Sequence, residues 1–165
     1  MLNLYKTLVR PQLEYCVSAW SPCYKKDKEL LEKVQRTFTK MIKAMKGKSY
    51  EERLQKLNLW SLEERRNRQD LIEVFKICKG CSRIRPEELF QFDRGKGTRG
   101  HCLKLVEVRC TRDSRRHFFS NRVIKGWNQL DQEAVDATSI IAFKSKLDRL
   151  RCTRMGFFMD HSAEP

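Results

Sequence analysis

The chain has 165 residues, 40% of them hydrophobic, and its 35 Lys and Arg against 21 Asp and Glu give a formal net charge of +14. This length and composition suit one domain or one and a half with a real core, which excludes wholesale disorder. No apolar run approaches the roughly 18 residues of a membrane span, and the N-terminus does not have the unbroken apolar stretch of a secretory signal. We therefore expect an intracellular protein, in the nucleus, the cytoplasm or both, with an anionic partner such as nucleic acid.

Helical periodicity dominates the first third of the chain. Residues 2–19 predict a first helical segment that Pro11 bends or restarts, and Ser21-Pro22 ends it. A second helix is predicted from an N-cap at Asp27 to a C-cap at Gly47. Its inward face is predicted from an apolar stripe with a period of 3.6 residues: Leu30, Leu31, Val34, Phe38, Met41, Ile42 and Met45.

Two capping boxes give the most secure local predictions. Ser49 with Glu52 opens a short helix, and Ser61 with Glu64 opens a longer one that ends near Gly80. In each box the Ser and the Glu three residues later satisfy backbone N–H groups at the helix start.

The second half of the chain mixes weaker signals. Residues 81–100 predict a basic, irregular linker with a single turn at Pro86. The alternation in 103–109 predicts a strand, paired in a small hairpin with residues 115–119. Helical spacing returns in 118–130 and in a last helix from Ser139, and the tail after Arg151 has little to hold it in place, so we expect it to be disordered.

The predicted fold class is therefore mainly α, a helical bundle with a small β-hairpin in the C-terminal half. The predicted regions are a helical part over 1–80, the linker over 81–100, and a C-terminal part over 101–165 with the hairpin and two helices.

Catalytic and metal-binding patterns are weak. Cys78 and Cys81 form a CxxC with His101, Cys102 and Cys110 downstream, but no second CxxC completes a compact zinc spacing, and Cys78 completes an apolar helical stripe. We interpret the seven cysteines mainly as free thiols of a reducing compartment and expect no metal and no cofactor. No two aspartates are adjacent and no GxSxG elbow is present, so we predict no catalytic residue, no enzyme activity and no small-molecule substrate.

Basic clusters remain as the functional signal. Lys and Arg neutralise phosphates without reading the bases, which suits sequence-tolerant binding to RNA, DNA or hybrid duplexes. We interpret RGKGTRG (94–100) as a flexible loop that contacts phosphates, and not as a loop that hydrolyses nucleotides. The predicted nucleic-acid-binding residues are Lys40, Lys43, Arg94, Lys96, Arg99, Lys104, Arg109, Arg112, Arg115 and Arg116.

An ordered series of motifs also resembles a known family. These motifs are LYKTLVRPQLEYCVSAWSP (4–22), DKELLEKVQRTFTKMI (27–42), SYEERLQKLNLWSLEERRNRQDLIEVFKI (49–77), TRGHCLKL (98–105), FFSNRVIKGWNQL (118–130) and AVDATSIIAFKSKLDRL (134–150). In this order they resemble the region just after the palm in reverse transcriptases of LINE-type, jockey-like non-LTR retrotransposons. Asp131 and Cys102 depart from that pattern, where Pro and Ser are more usual.

The resemblance implies a fragment of an RNA-directed DNA polymerase, its thumb and post-thumb region, with fingers and palm upstream. It implies a thumb-like helical bundle that grips the template–primer duplex and leans on the palm. It carries over no catalytic residue, because the family's aromatic-x-Asp-Asp turn is absent from this sequence. The alternative functions are a helical protein-interaction module and a non-functional relic of such an element, and a zinc-dependent nucleic-acid module is a weaker third.

Overall fold

Helices dominate the computed structural model, which describes residues 1–93, 95 and 100–159, with the backbone alone at Asp113, and the prediction of a mainly α fold is confirmed. In chain order they are α1 (Leu2–Leu4), a π-helical turn (Tyr5–Val9), α2 (Arg10–Leu13), α3 (Lys25–Met41), a 3₁₀ turn (Lys43–Met45), α4 (Tyr50–Leu57), α5 (Leu62–Cys78), α6 (Pro86–Leu89), α7 (Asp113–Arg116), α8 (Phe119–Asn128), α9 (Gln132–Val135) and α10 (Ile140–Thr153).

Both predicted capping boxes are confirmed. At the start of α4 the Ser49 Oγ accepts the Glu52 N–H at 3.2 Å, and a Glu52 carboxylate oxygen accepts the Ser49 N–H at 2.8 Å. Ser61 and Glu64 make the same pair of bonds at 3.2 and 2.9 Å at the start of α5. Each serine cap is worth about 1 kcal/mol of stability, so these two helix starts are fixed by local chemistry.

The hydrophobic core lies where α5, α8 and α10 meet. Phe75 of α5 stacks on Phe143 of α10 with ring centroids 4.2 Å apart, and Trp127 of α8 is completely buried beside them. Phe143, Leu147 and Leu150 recur at helical spacing in α10 and are all buried. Helix α5 thus connects the N-terminal half of the chain to the C-terminal half.

Helix α3 buries only part of the predicted inward face. Leu30, Val34 and Met41 of the apolar stripe are 56%, 39% and 57% exposed, whereas Phe38 stacks on Tyr5 and Met45 is buried. Gln35 lies beside the stripe, one turn from Leu31 and from Phe38, and is completely buried. Its side chain accepts a hydrogen bond from the Tyr5 hydroxyl at 2.7 Å.

The buried side of α3 is a polar network with its hydrogen bonds satisfied. The Gln35 amide donates to the Tyr50 hydroxyl and to the Trp60 carbonyl, both at 2.9 Å. Glu32 accepts the Leu62 N–H at 2.9 Å, which satisfies an orphan donor at the start of α5, and also accepts from the Tyr50 hydroxyl. The network binds α3 to three other segments, which explains why Glu32 and Gln35 are among the buried residues of this helix.

Three predicted helix ends are wrong. The first helical stretch ends at Leu13, and the chain turns at Cys16 with φ of 51°. Helix α3 begins after Tyr24 instead of Asp27, because the Tyr24 carbonyl already accepts N–H groups from the next turn, and Asp27 favours that first turn electrostatically. It ends at Met41, since Ile42 is extended, well before Gly47.

The predicted β-hairpin is also wrong. Residues 103–119, all within the described part of the chain, form no strand, and 113–119 are largely helical. One isolated antiparallel bridge joins Phe92 to Leu105. The Leu105 N–H and C=O instead pair with the Asn128 side chain at 2.9 and 2.8 Å, and so they do not need a partner strand.

The C-terminal segment is held in place as far as the structure describes it. Phe158 is buried in the core, and its carbonyl accepts a hydrogen bond from the Asn67 side chain at 2.6 Å. The prediction of a loose tail after Arg151 is therefore wrong up to Met159, and residues 160–165 lie outside the described part.

Candidate nucleic-acid interface

Four arginines lie close together along the chain, within residues 109–116. Arg109, Arg112, Arg115 and Arg116 are all exposed, and none of them makes an ion pair with any side chain that the structure describes. Residues 109–116 contain these four arginines and a single acidic residue, Asp113. We call Arg109, Arg112, Arg115 and Arg116 the arginine cluster.

Several arginines elsewhere are neutralised within the fold, which sets the cluster apart from an ordinary solvated charge run. Such pairs join Arg65 to Glu14, Arg68 to Asp148, Arg122 to Asp70, Arg151 to Glu64 and Arg154 to Asp131.

Segment 103–117 carries the arginine cluster, and side chains of α8 bind it at both ends. We call 103–105 its first end and 115–117 its second end. At the first end the Trp127 indole N–H donates to the Leu103 carbonyl at 2.7 Å, and Asn128 pairs with the Leu105 backbone. At the second end Asn121 donates to the Arg115 carbonyl at 2.7 Å, and Arg122 donates to the His117 carbonyl at 3.1 Å. The segment that carries the four arginines is thus fixed to a core helix. This fixation lowers the entropic cost of contacting a ligand.

Arg122 is the anchor of the second end. Its Nε and Nη2 donate to the two carboxylate oxygens of Asp70 at 2.8 and 3.0 Å, and Nη2 also donates to the Val17 carbonyl at 2.8 Å. Burial raises the pKa of Asp70, and the hydrogen bonds and charge of Arg122 oppose that rise. This pair joins α5, α8 and the N-terminal segment behind the arginine cluster.

His101 supports the first end and is not a phosphate contact. The ring is buried, Nε2 lies 2.9 Å from the Trp127 carbonyl, and Nδ1 accepts the Leu103 N–H at 3.2 Å. This arrangement requires a neutral ring with the proton on Nε2. Burial lowers the pKa of His101, and the nearby positive charge of Lys104 lowers it further.

Protonation of His101 should therefore lower the free energy of unfolding as the pH falls. Because its folded pKa lies below the unfolded value of about 6.5, the folded state binds fewer protons, and stability is lost as pH drops below about 6.5. We expect urea unfolding to show a larger loss between about pH 7.5 and about pH 5 for the native chain than for His101→Gln, which keeps a donor toward Trp127 but does not titrate. Equal losses in the two proteins would contradict this assignment.

The other predicted binding residues lie apart from the cluster or outside the described residues. Arg94, Lys96 and Arg99 lie outside the residues that the structure describes. Lys104 is half-buried at the first end of the segment. Lys40 and Lys43 are exposed at the far end of α3; Lys40 follows the cleft-lining Lys28 by twelve residues, which is about 18 Å along the helix.

A cleft of about 840 Å³ opens beside the cluster, between α5, α8 and the segments around 107–117 and 156–159. Arg109 and Arg116 line it, together with apolar groups such as Val108, Ile124 and Phe157. Among the described lining residues, six are basic and three are acidic, so the cleft favours anions.

Phe118, Phe119 and Trp127 follow the cluster along the chain, and of these three only Phe118 is open to solvent. Trp127 is buried in the core, and Phe119 lies against Phe90 with ring centroids 6.0 Å apart. Phe118 is 53% exposed, with the Arg115 guanidinium 5.3 Å from its ring centroid. The sequence did not distinguish these three, because burial of a ring depends on the tertiary neighbours of α8.

No protein-family model, curated protein or solved structure matches this chain. In the described residues, no group of three or more His, Cys, Asp or Glu side chains is placed to hold a metal ion. All seven cysteines are unpaired thiols, and burial raises the pKa of Cys78 to about 11. Among the described residues, no helix has the length and apolarity that a membrane span needs.

Proposed function

We propose that this chain binds the phosphate backbone of double-stranded nucleic acid, including RNA–DNA hybrid, through the arginine cluster. The observation that carries the proposal is a set of four exposed arginines, on a segment anchored to α8, that form no ion pair with the side chains that the structure describes. An arginine guanidinium can donate two parallel hydrogen bonds to phosphate oxygens, and such a contact does not read the bases. Binding through the arginine cluster is therefore sequence-tolerant.

The motif resemblance supports a more specific proposal. The chain is a non-catalytic part of a retrotransposon RNA-directed DNA polymerase, in which the thumb region grips the template–primer duplex. Its own sequence offers no adjacent aspartates for two-metal phosphoryl chemistry, so polymerisation would depend on a palm elsewhere.

Salt dependence tests the proposal. Log affinity for a hybrid duplex should fall linearly with log salt, and replacing Arg112, Arg115 and Arg116 together by Ala should flatten the slope by about 2.7, since each lost phosphate contact removes about 0.9. The weakening should be equal for unrelated duplex sequences. The measurement is fluorescence anisotropy over a salt series.

The matched control removes the same charge from scattered positions. Lys46, Arg83 and Arg149 are exposed and have no ion pair within the described residues, and their triple Ala variant should keep most of the native slope. Equal slopes for both triple variants would mean that net charge alone drives binding, and no binding by the folded protein at low salt would refute the proposal.

The second candidate function is a helical protein-interaction module, and one observation favours it. The apolar side chains Leu30, Val34 and Met41 on α3, with Leu4 and Leu8 before it, are exposed to solvent. An apolar surface of this kind is typical of a protein contact. Under the resemblance the partner would be the palm of the parent polymerase, and failure of all nucleic-acid binding would favour this function.

A further inference from the structure

Phe118 has an exposed aromatic ring and follows the arginine cluster directly along the chain. It precedes α8, its backbone N–H donates to the Arg115 carbonyl at 3.3 Å, and its ring is more than half exposed. Arg115 is the one cation in contact with the ring within the described residues, and no other aromatic side chain described in the structure stacks on it. A large apolar ring held at the surface by an anchored backbone exposes a flat face to a ligand.

The paired bases of a duplex cannot use such a face. Their stacking surfaces are covered by neighbouring base pairs, whereas an unpaired base beyond the end of a duplex has a free π-face. Stacking of a base on an aromatic side chain, next to cations that contact the backbone, is the general mode by which proteins hold single strands.

The adjacent cleft has room for the strand that follows. A volume of about 840 Å³ lies in the range that holds a small molecule, so it accommodates a nucleotide and excludes a duplex. Arg109 and Arg116 line it and form no ion pair with any described side chain, and the apolar side chains of Val108, Ile124 and Phe157 form another part of its wall. Cationic groups beside apolar ones suit the phosphate and the base of one nucleotide.

We propose that Phe118 stacks on the first unpaired base at a junction between duplex and single strand, while the arginine cluster holds the phosphates on both sides of that junction. The ligand is then a duplex with a single-stranded overhang, not a blunt duplex. This inference rests on the proposed function for its electrostatic part, and it adds a component that depends on the base.

The experiment compares a blunt hybrid duplex with the same duplex carrying a short overhang, for the full chain. The overhang should strengthen binding by at least about fivefold, since one stacked base contributes that much or more. Phe118→Ala should abolish the preference and leave blunt-duplex affinity unchanged, whereas Phe118→Trp should keep the preference. An abasic first unpaired position should reproduce the effect of Phe118→Ala on the native chain.

A spectroscopic signal and two controls complete the test. 2-Aminopurine at the first unpaired position should be quenched on binding to the native chain and not to Phe118→Ala. Tyr15→Ala, which truncates an exposed ring of the N-terminal segment, should keep both the quenching and the preference. An acidic peptide with the same charge as the oligonucleotide should compete more weakly than the oligonucleotide does. If the two compete equally well, the proposal is overturned in favour of a protein ligand.

The two proposals fail in different ways. Blunt duplex bound with steep salt dependence, but without any overhang preference, would refute the role of Phe118 and leave the backbone-binding function standing. Loss of all duplex binding, with the overhang also unbound, would refute both.

Discussion

Replacing Arg122 by Ala should cost about 3–5 kcal/mol of the free energy of unfolding, because it leaves the buried carboxylate of Asp70 without its partner. The side chain also satisfies the carbonyls of Val17, Ser18 and His117, which lose a charged donor in the variant. The penalty should be smaller at acid pH, where a protonated Asp70 needs no counter-charge. Urea unfolding at neutral and acid pH measures both effects.

Two variants separate the mechanism from a general loss of charge. Arg154→Ala breaks an exposed pair with Asp131 and should cost no more than about 1 kcal/mol. The double variant Arg122→Met with Asp70→Ala removes both charges and should recover much of the stability lost in Arg122→Ala. If Arg122→Ala is no more costly than Arg154→Ala, the buried pair does not hold these segments together.

Arg122 also connects stability to binding. Its contact with the His117 carbonyl fixes the second end of the segment that carries the arginine cluster. Affinity for duplex should therefore fall in Arg122→Ala even under conditions where the variant is folded, although no residue of the cluster has changed.

Local signals in the sequence were sufficient for some helices. The starts of α4 and α5 depend on hydrogen bonds between residues three apart, Ser49 with Glu52 and Ser61 with Glu64, so the sequence contains all of the necessary information. Helix α10 likewise follows from its serine cap and a regular apolar face.

Long-range partners explain where sequence reasoning was wrong. The periodicity of α3 defines an apolar stripe, but the part of that stripe that faces inward depends on Tyr5, Tyr50 and Leu62, which satisfy the polar side chains beside it. The alternation in 103–109 was interpreted as a strand because nothing local indicates that an Asn128 side chain pairs with that backbone.

The candidate site was predictable in part for the same reason. Clustering along the chain pointed to Arg109, Arg112, Arg115 and Arg116. It could not distinguish them from Arg65, which lies in an equally basic run but is paired with Glu14, 51 residues earlier. The anchoring side chains of α8 were missed because Asn and Trp in a helix carry no pattern that names their backbone partners.

Trp127 should be the most costly core truncation near the candidate site. Trp127→Ala removes a completely buried ring, and we expect a loss of about 3–5 kcal/mol of the free energy of unfolding. The Leu103 carbonyl also loses the indole N–H that it accepts at 2.7 Å.

The aromatic variant Trp127→Phe separates packing from the hydrogen bond. It keeps a ring in the core but leaves the Leu103 carbonyl without its donor, so it should cost less than Trp127→Ala, with about 1–3 kcal/mol assigned to the unsatisfied carbonyl. That bond fixes the first end of the segment that carries the cluster. Both variants should therefore speed amide hydrogen exchange at 101–105, and the increase there should be larger than the increase in α4, which does not contain this contact. Protection at 101–105 that stays native in Trp127→Phe would mean that Asn128 and His101 hold the segment without the indole, and that the loop presenting the arginine cluster does not depend on Trp127.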